Sequence, residues 1–245
     1  MIVLGLDFET NGINPNSSEI LEIGAALWDT ERKEYLSIFS SLIIPQATHF
    51  EIKKETKELT GITEDDLYKF GIPLSNVIEK LIELSSYTTI LISHFGIEFD
   101  RIIYERILKK TQLKAQEKFW IDTGYDIQYP KKITTRKLQY LALEHGFIPG
   151  ISHRALFDVI SMFQVVGNYN FPDILENANS PLLKITASVE YEKKDLAFRS
   201  GFHWNSEKKV WEKLIRESIF RLESYSFPTK VEQIFYRPLT FNSHD

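Results

Sequence analysis

Ile2-Val-Leu-Gly-Leu-Asp-Phe-Glu-Thr10 opens the chain and runs directly into Asn11-Gly12. An apolar, partly β-branched run that stops at a turn dipeptide reads as a buried strand. Side chains two apart on a strand share a face, so Asp7 and Glu9 converge while Leu4, Leu6 and Phe8 point the other way. Setting two carboxylates side by side in an apolar strand is costly unless a cation compensates. The plain alternative for this pair alone is a strand whose end is hydrated.

Outward from this strand, Glu19 to Trp28 and Tyr35 to Ile44 read as a second and third strand, the latter stopped by Pro45. Short connections predict an antiparallel meander. The period then changes. Ser75 to Leu84 carries Val77, Ile78, Leu81, Ile82 and Leu84 at helical spacing, and Thr88 to Ile92 is a short β-branched strand. Asp100 to Lys110 reads as a helix and Phe119 to Asp122 as a fifth strand. Thr135 to His145 and Ala155 to Val166 read as two more helices, stopped by Gly146 and Gly167. A meander followed by alternating helices and strands predicts an α/β fold: a mixed sheet with helices on its faces.

The chain has 245 residues and 26% charged and 43% hydrophobic residues, an ordinary globular balance. That excludes a disordered tail and a collagen-like chain. Without a cysteine, there is no disulfide, no thiolate zinc site and no cysteine nucleophile. No apolar run approaches the roughly 20 residues that span a bilayer, and the start lacks the pattern of a signal peptide. No membrane association and a cytoplasmic location are expected. The formal charge of −5 argues on its own against a nucleic-acid partner.

Three further residues stand out. Asp100 follows the fourth strand and opens a helix, where capping is the plain explanation. Asp158 interrupts the apolar Leu156, Phe157, Val159 and Ile160. His153 lies five residues before Asp158 at the entry to the same helix; a histidine there can act as a general base or be an ordinary loop residue. The other histidines (His49, His94, His145, His203, His244) have no ligand spacing and are assigned structural or surface roles. Four carboxylates without cysteine suit hard, oxygen-preferring ions such as Mg²⁺ or Mn²⁺. Two such ions about 3.5–4 Å apart support in-line displacement at a phosphodiester.

In this order, the motifs resemble those of the DEDDh 3′–5′ exonucleases, which include ribonuclease T and the proofreading epsilon subunit of bacterial DNA polymerase III. Leu6-Asp-Phe-Glu-Thr-Asn-Gly12 resembles the first motif, Ile97-Glu-Phe-Asp100 the end of the second, and His153-Arg-Ala-Leu-Phe-Asp158 the third. Leu59-Thr-Gly-Ile-Thr63, Trp120-Ile-Asp-Thr123 and Lys137-Leu138 with Leu141 are similar to secondary segments. The resemblance covers about residues 1–170. It implies a ribonuclease-H-like mixed five-stranded sheet, with three antiparallel and two parallel strands, flanked by helices. It implies Asp7, Glu9, Asp100 and Asp158 as ligands of two divalent ions, Mg²⁺ or Mn²⁺, and His153 as general base. It also implies Thr10, Leu59, Ile62 and Phe99 as contacts of the 3′-terminal nucleotide. The substrate would be a single-stranded DNA or RNA 3′ end, or a 3′ overhang. A polymerase or replication partner is a further expectation. One departure stands out: the usual His-Asn pair of the second motif is Phe95-Gly96 here.

Around residues 173–183 the texture becomes that of a connector, which predicts an exonuclease domain over 1–172 and a small α+β module over 184–245. Residues 181–245 hold 11 Lys and Arg against 9 Asp and Glu, leaving 18 against 25 in the first 180. The acidity thus falls in the segment of the carboxylate set, where bound cations would offset it. Gly201-Phe-His-Trp-Asn-Ser-Glu-Lys-Lys-Val-Trp-Glu-Lys213 resembles a short element of phage and bacterial DNA-processing proteins. It predicts either a nucleic-acid grip through Trp204, Lys208, Lys209, Trp211 and Lys213, or tryptophans serving a small core. The rival readings for the whole chain are a non-catalytic module that binds nucleic-acid ends and a polymerase-associated proofreading subunit.

Overall fold

The computed structural model describes residues 1–47, 49–111, 117–130 and 132–236. The chain divides into two compact units: Met1–Thr123 with Leu138–Asn168, and Gly124–Lys137 with Tyr169–Asp245.

The first unit is built on a five-stranded sheet. Strands β1 (Ile2–Thr10), β2 (Ile20–Asp29) and β3 (Glu34–Leu42) form the antiparallel meander. Strands β4 (Ile90–Ser93) and β5 (Phe119–Asp122) continue it in parallel, in the order β3-β2-β1-β4-β5. The predicted mixed sheet is therefore present, with its three antiparallel and two parallel strands. Helices α1 (Lys54–Thr60) and α2 (Glu64–Phe70) follow the meander; α3 (Leu74–Ser86) and α4 (Asp100–Thr111) flank β4; α5 (Leu138–Glu144) and α6 (Ala155–Val166) come after β5.

The alternation of β1 sorts its side chains between two layers. Leu4, Leu6 and Phe8 enter the main core with Val77, Leu81, Ile103 and Ile107 of α3 and α4. The opposite face, with Gly5, Asp7 and Glu9, lies beneath α6. A Cβ on Gly5 would meet Phe163 Cε2 at 2.4 Å, and one on Gly24 would meet the Ala155 carbonyl carbon and the Leu156 nitrogen at 2.3 Å. Gly24 is the register partner of Asp7, so the helix comes down onto the sheet beside the carboxylates. Trp28 stacks on Phe163 at 5.0 Å between ring centroids and holds the far end of the same contact.

The second unit holds α7 (Phe171–Ala178), β6 (Leu182–Ala187), α8 (Lys194–Arg199), β7 (His203–Asn205), β8 (Val210–Arg216), α9 (Glu217–Phe220) and β9 (Thr229–Phe235). Its four strands run antiparallel in the order β7-β8-β6-β9. Leu183, Ile185, Phe202, Ile215 and Ile219 form its core. Arg216 is buried in a short ion pair with Asp126, from the 124–137 segment, and donates to the Ser180 carbonyl at 2.9 Å. Burial of this charge is tolerated because every face of the fork finds an acceptor.

Two element readings are corrected. Residues 171–178 are a helix rather than part of a connector, because Pro172 falls in the first turn, where its missing N–H is not needed. Lys213 to Tyr225, whose apolar spacing predicts a helix, is not one helix: β8 runs through Arg216 and only Glu217–Phe220 turn helical. Pairing with β6 overrides the local helical propensity there. Helices α1 and α2 and strand β9 have no counterpart in the sequence reading. Among the described residues, no helix is long and apolar enough to cross a membrane.

Candidate active site

Strand β1 supplies the first two acids. Asp7 and Glu9 lie on its α6-facing side, and the β1–β2 register sets Glu9 directly opposite Glu22. Helix α6 supplies the next pair. Asp158 is in its first turn, and His153 precedes it in a left-handed conformation with φ 58°. The His153 N–H donates to Asp158 Oδ2 at 3.1 Å. Glu9, His153 and Asp158 each present a ligand-type atom within 4.8 Å of the other two. Asp100 begins α4, is 3% exposed, and its Oδ1 accepts the Phe8 N–H at 3.1 Å. One element thus delivers two carboxylates, while α4 and α6 fix one each against it.

The electrostatics of this gathering are unfavourable without a cation. Burial is the largest cause in all four cases, because desolvation penalises the charged form. It raises Asp7 well above the usual range, with Asp100, Glu9, Asp158 and Glu22 adding repulsion in that order. Glu9 is pushed up to about 8 by burial, then by Asp158 and Glu22. Asp100 also reaches about 8, although the Phe8 N–H works against the shift. Asp158 rises to about 6, restrained by His153. Clustered oxygen donors with raised pKa values are the environment that a divalent cation resolves, and the donor set fits one.

Three residues of the site were not singled out by the sequence reading, although Asp122 lies within its Trp120-Ile-Asp-Thr123 segment. Glu22 is buried and bound by Arg154: Nε lies 3.2 and 3.0 Å from its two oxygens, and the terminal nitrogen 2.7 Å from Oε1. The signal was present, since Glu22 is an acid inside the apolar Ile20 to Trp28, but the cross-strand register was needed to see it. The third, Asp122, is buried at the end of β5 and accepts the N–H groups of Phe95 and Ile97 at 2.9 and 3.0 Å. This grip holds Phe95 left-handed, with φ 57°. A Cβ on Gly96 would sit 1.9 Å from Ser93 Oγ and 2.6 Å from Asp100 Oδ2. The Phe95-Gly96 departure is therefore built into the wall beside Asp100.

The remaining predicted residues fall in varied places. Thr10 is buried and its hydroxyl donates to the Gly12 carbonyl at 2.6 Å. Leu59 is exposed, whereas Ile62 is buried with Leu21, Ile52 and Leu67 in a satellite core, so its side chain is not open to a ligand. Phe99 packs against the main core. In the second unit, Trp204 is half-exposed and pairs across β7–β8 with Trp211, which leans on the core. Lys208 and Lys209 are exposed, with Lys208 Nζ 3.7 Å from Glu212. Lys213 is buried; its ammonium bonds to Glu223 at 2.7 Å and to the Ser200 carbonyl at 3.0 Å, and is not presented to a phosphate.

Comparison with known proteins agrees with this architecture. Residues 4–166 match the RNase T family model, described as exonuclease. The DNA polymerase III PolC-type of Thermotoga maritima is 30% identical over 162 residues, which cover 65% of this chain and 11% of that protein. The chain therefore spans about a tenth of the length of its curated relatives. A DEDDh nuclease domain bound to rAMP superposes with a TM-score of 0.54 at 17% identity, covering 68% of this chain and 90% of that one. Escherichia coli exonuclease I in complex with a dT13 oligonucleotide gives 0.59 at 15% identity, over 76% of this chain and 48% of that one. The match over most of the chain establishes that this protein belongs to the RNase T exonuclease family.

Proposed function

We propose that the protein removes nucleotides from the 3′ end of DNA or RNA through two divalent ions, Mg²⁺ or Mn²⁺, held by Asp7, Glu9, Asp100 and Asp158. The observation that carries this reading is the convergence of these acids, with Glu9, Asp158 and His153 within 4.8 Å. Divalent-metal dependence is general in this family. When bound, the ions supply positive charge that offsets the acids and the phosphate and stabilises the transition state of displacement. Asp7, Glu9 and Asp158 would hold one ion, and Asp7 with Asp100, which is anchored on the Phe8 amide, would hold the other.

His153 takes the proton from the attacking water. Its backbone tie to Asp158 sets the ring at the edge of the carboxylate cluster. Thr10 fixes the turn after β1 beneath the terminal nucleotide, Phe99 braces the wall beside Asp100, and exposed Leu59 lies against the base. The site accepts a single strand or an overhang. The second unit adds affinity through Trp204, by stacking, and through Lys208 and Lys209, by phosphate contact. Similarity to a segment of a DNA polymerase III of PolC type supports, as a second reading, a polymerase-associated proofreading subunit, and a cytoplasmic location goes with either reading.

The test is a panel of 5′-labelled single-stranded DNA, duplex DNA and RNA in Mg²⁺ or Mn²⁺. Stepwise shortening from the 3′ end is expected, and the relative rates name the substrate. Internal cuts, or immediate release of the 5′ label, would contradict the reading.

A further inference from the structure

We propose that Glu22 and Arg154 form a clamp that positions His153, and that this ion pair acts on turnover mainly through His153. The inference rests on the assignment of His153 as general base.

Residues 153–155 are tied down one after another. The His153 N–H is held by Asp158 Oδ2 at 3.1 Å, and the Arg154 guanidinium by both oxygens of Glu22. The Ala155 N–H is held by Glu22 Oε2 at 2.9 Å. Arg154 is the N-cap residue of α6 and its own side chain makes no capping bond. The cap comes from the neighbouring strand, because Glu22 of β2 takes up an amide that the first turn leaves unpaired. The close approach at Gly24 is what allows this carboxylate to reach the helix end.

The clamp has a reason to exist. His153 sits at φ 58°, a conformation that a non-glycine residue keeps only where its surroundings over-determine it. Asp158 alone is an insecure anchor, because its oxygens are also offered to a cation. Glu22 is different. Although it faces Glu9 across the strands, its two oxygens are taken by three donors of Arg154 and Ala155, and the guanidinium neutralises it. It is the acid of this cluster reserved for the protein, and it keeps the His153 loop fixed whether or not a metal draws on Asp158. The fork geometry matters, since a lysine offers one point charge where the arginine engages both oxygens.

The experiment is a double-mutant cycle on the full chain with Arg154→Ala, His153→Ala and the pair. Single-turnover rates on a 5′-labelled oligonucleotide are read beside Mn²⁺ affinity from calorimetry. Arg154→Ala should lower kcat about 10- to 100-fold, as a mispositioned base does, with KM and Mn²⁺ affinity within about threefold of wild type. In the His153→Ala background the same change should cost less than about threefold, because groups acting through one residue are not additive. Arg154→Lys and Glu22→Gln, which preserve volume, carry the same test at smaller amplitude should the alanine variant not fold, with Lys rescuing part of the loss. Multiplying losses, or a fall in Mn²⁺ affinity large enough to explain the rate, would overturn the clamp and leave the general base intact. Wild-type turnover in His153→Ala would overturn both.

Discussion

Replacing Asp100 by Asn removes one charge from the carboxylate cluster while keeping the oxygen that accepts the Phe8 amide. In the metal-free protein this change should stabilise the fold. Asp100 is pushed from 3.8 up to about 8, chiefly by burial. A carboxyl whose folded pKa exceeds its unfolded value prefers to be protonated when folded. The cost of ionising it is absent below the unfolded pKa and grows as pH rises towards the folded one. At pH 8 a shift of this size corresponds to about 5 kcal/mol for an isolated group. Asp7 and Glu9 share the cluster and readjust their protons when Asp100 is neutral, so the expected gain is about 2–5 kcal/mol. For a unit of this size that is a rise in Tm of about 5–15 °C in EDTA at pH 8. At pH 5 the gain should shrink to about 1–2 kcal/mol, because the wild-type residue is then largely protonated. Saturating Mn²⁺ should reverse the ranking: wild type gains stability by ligand linkage and the variant gains less. Turnover in the variant should fall by at least about 100-fold, as loss of an electrostatic contact at a phosphoryl centre does. Calorimetric melting of both proteins in EDTA and in Mn²⁺, at pH 5 and pH 8, reads all of this. An Asn variant no more stable than wild type at pH 8 in EDTA, or stabilised equally by Mn²⁺, would refute the claim that these acids are crowded for a cation.

The metal-free wild type should itself lose stability as pH rises from about 4 to about 8, following Glu9, Asp100 and Asp158. Melting curves should flatten across that window once Mn²⁺ is added, and a flat metal-free profile would contradict the raised values. Gly24→Ala drives a methyl into the Ala155–Leu156 backbone, so it should cost about 1–3 kcal/mol by overpacking and lower activity by lifting α6 from the sheet. Gly96→Ala should lower both stability and turnover, because its methyl would overlap the buried Ser93 side chain, 1.9 Å from Oγ, and come 2.6 Å from Asp100 Oδ2; paired kinetics and urea melts read the two losses. Trp204→Ala should raise KM for long oligonucleotides without changing kcat on a dinucleotide, and an unchanged KM would leave the second unit without a role in substrate binding.

Much of the site was legible because its acids violate the apolar pattern around them. Asp7 and Glu9 break β1, Asp158 breaks α6, and period-2 spacing alone placed the first two together. The mixed character of the sheet also followed from the change of period after Pro45, whereas its three antiparallel and two parallel strands were implied by the family resemblance. Glu22 was hidden for a definite reason: its importance lies in facing Glu9 across a register and meeting Arg154, which is 132 residues away. Asp122 fell within the quoted Trp120-Ile-Asp-Thr123 segment, but its role was hidden, since a carboxylate that binds the amides of Phe95 and Ile97 has no local signature. In the second unit, helical periodicity in Lys213 to Tyr225 misled because strand pairing and the buried Lys213–Glu223 contact decide that segment. Long-range contacts, rather than weak local signals, account for these misses.

The most direct test of the central claim is a time course on a 5′-labelled single-stranded oligonucleotide with wild type and Asp7→Ala, each in Mn²⁺ and again after chelation. The wild type should generate a ladder that shortens from the 3′ end in Mn²⁺ and stops with EDTA, and Asp7→Ala should generate none in either condition. Metal-dependent shortening by Asp7→Ala at the wild-type rate would contradict the account.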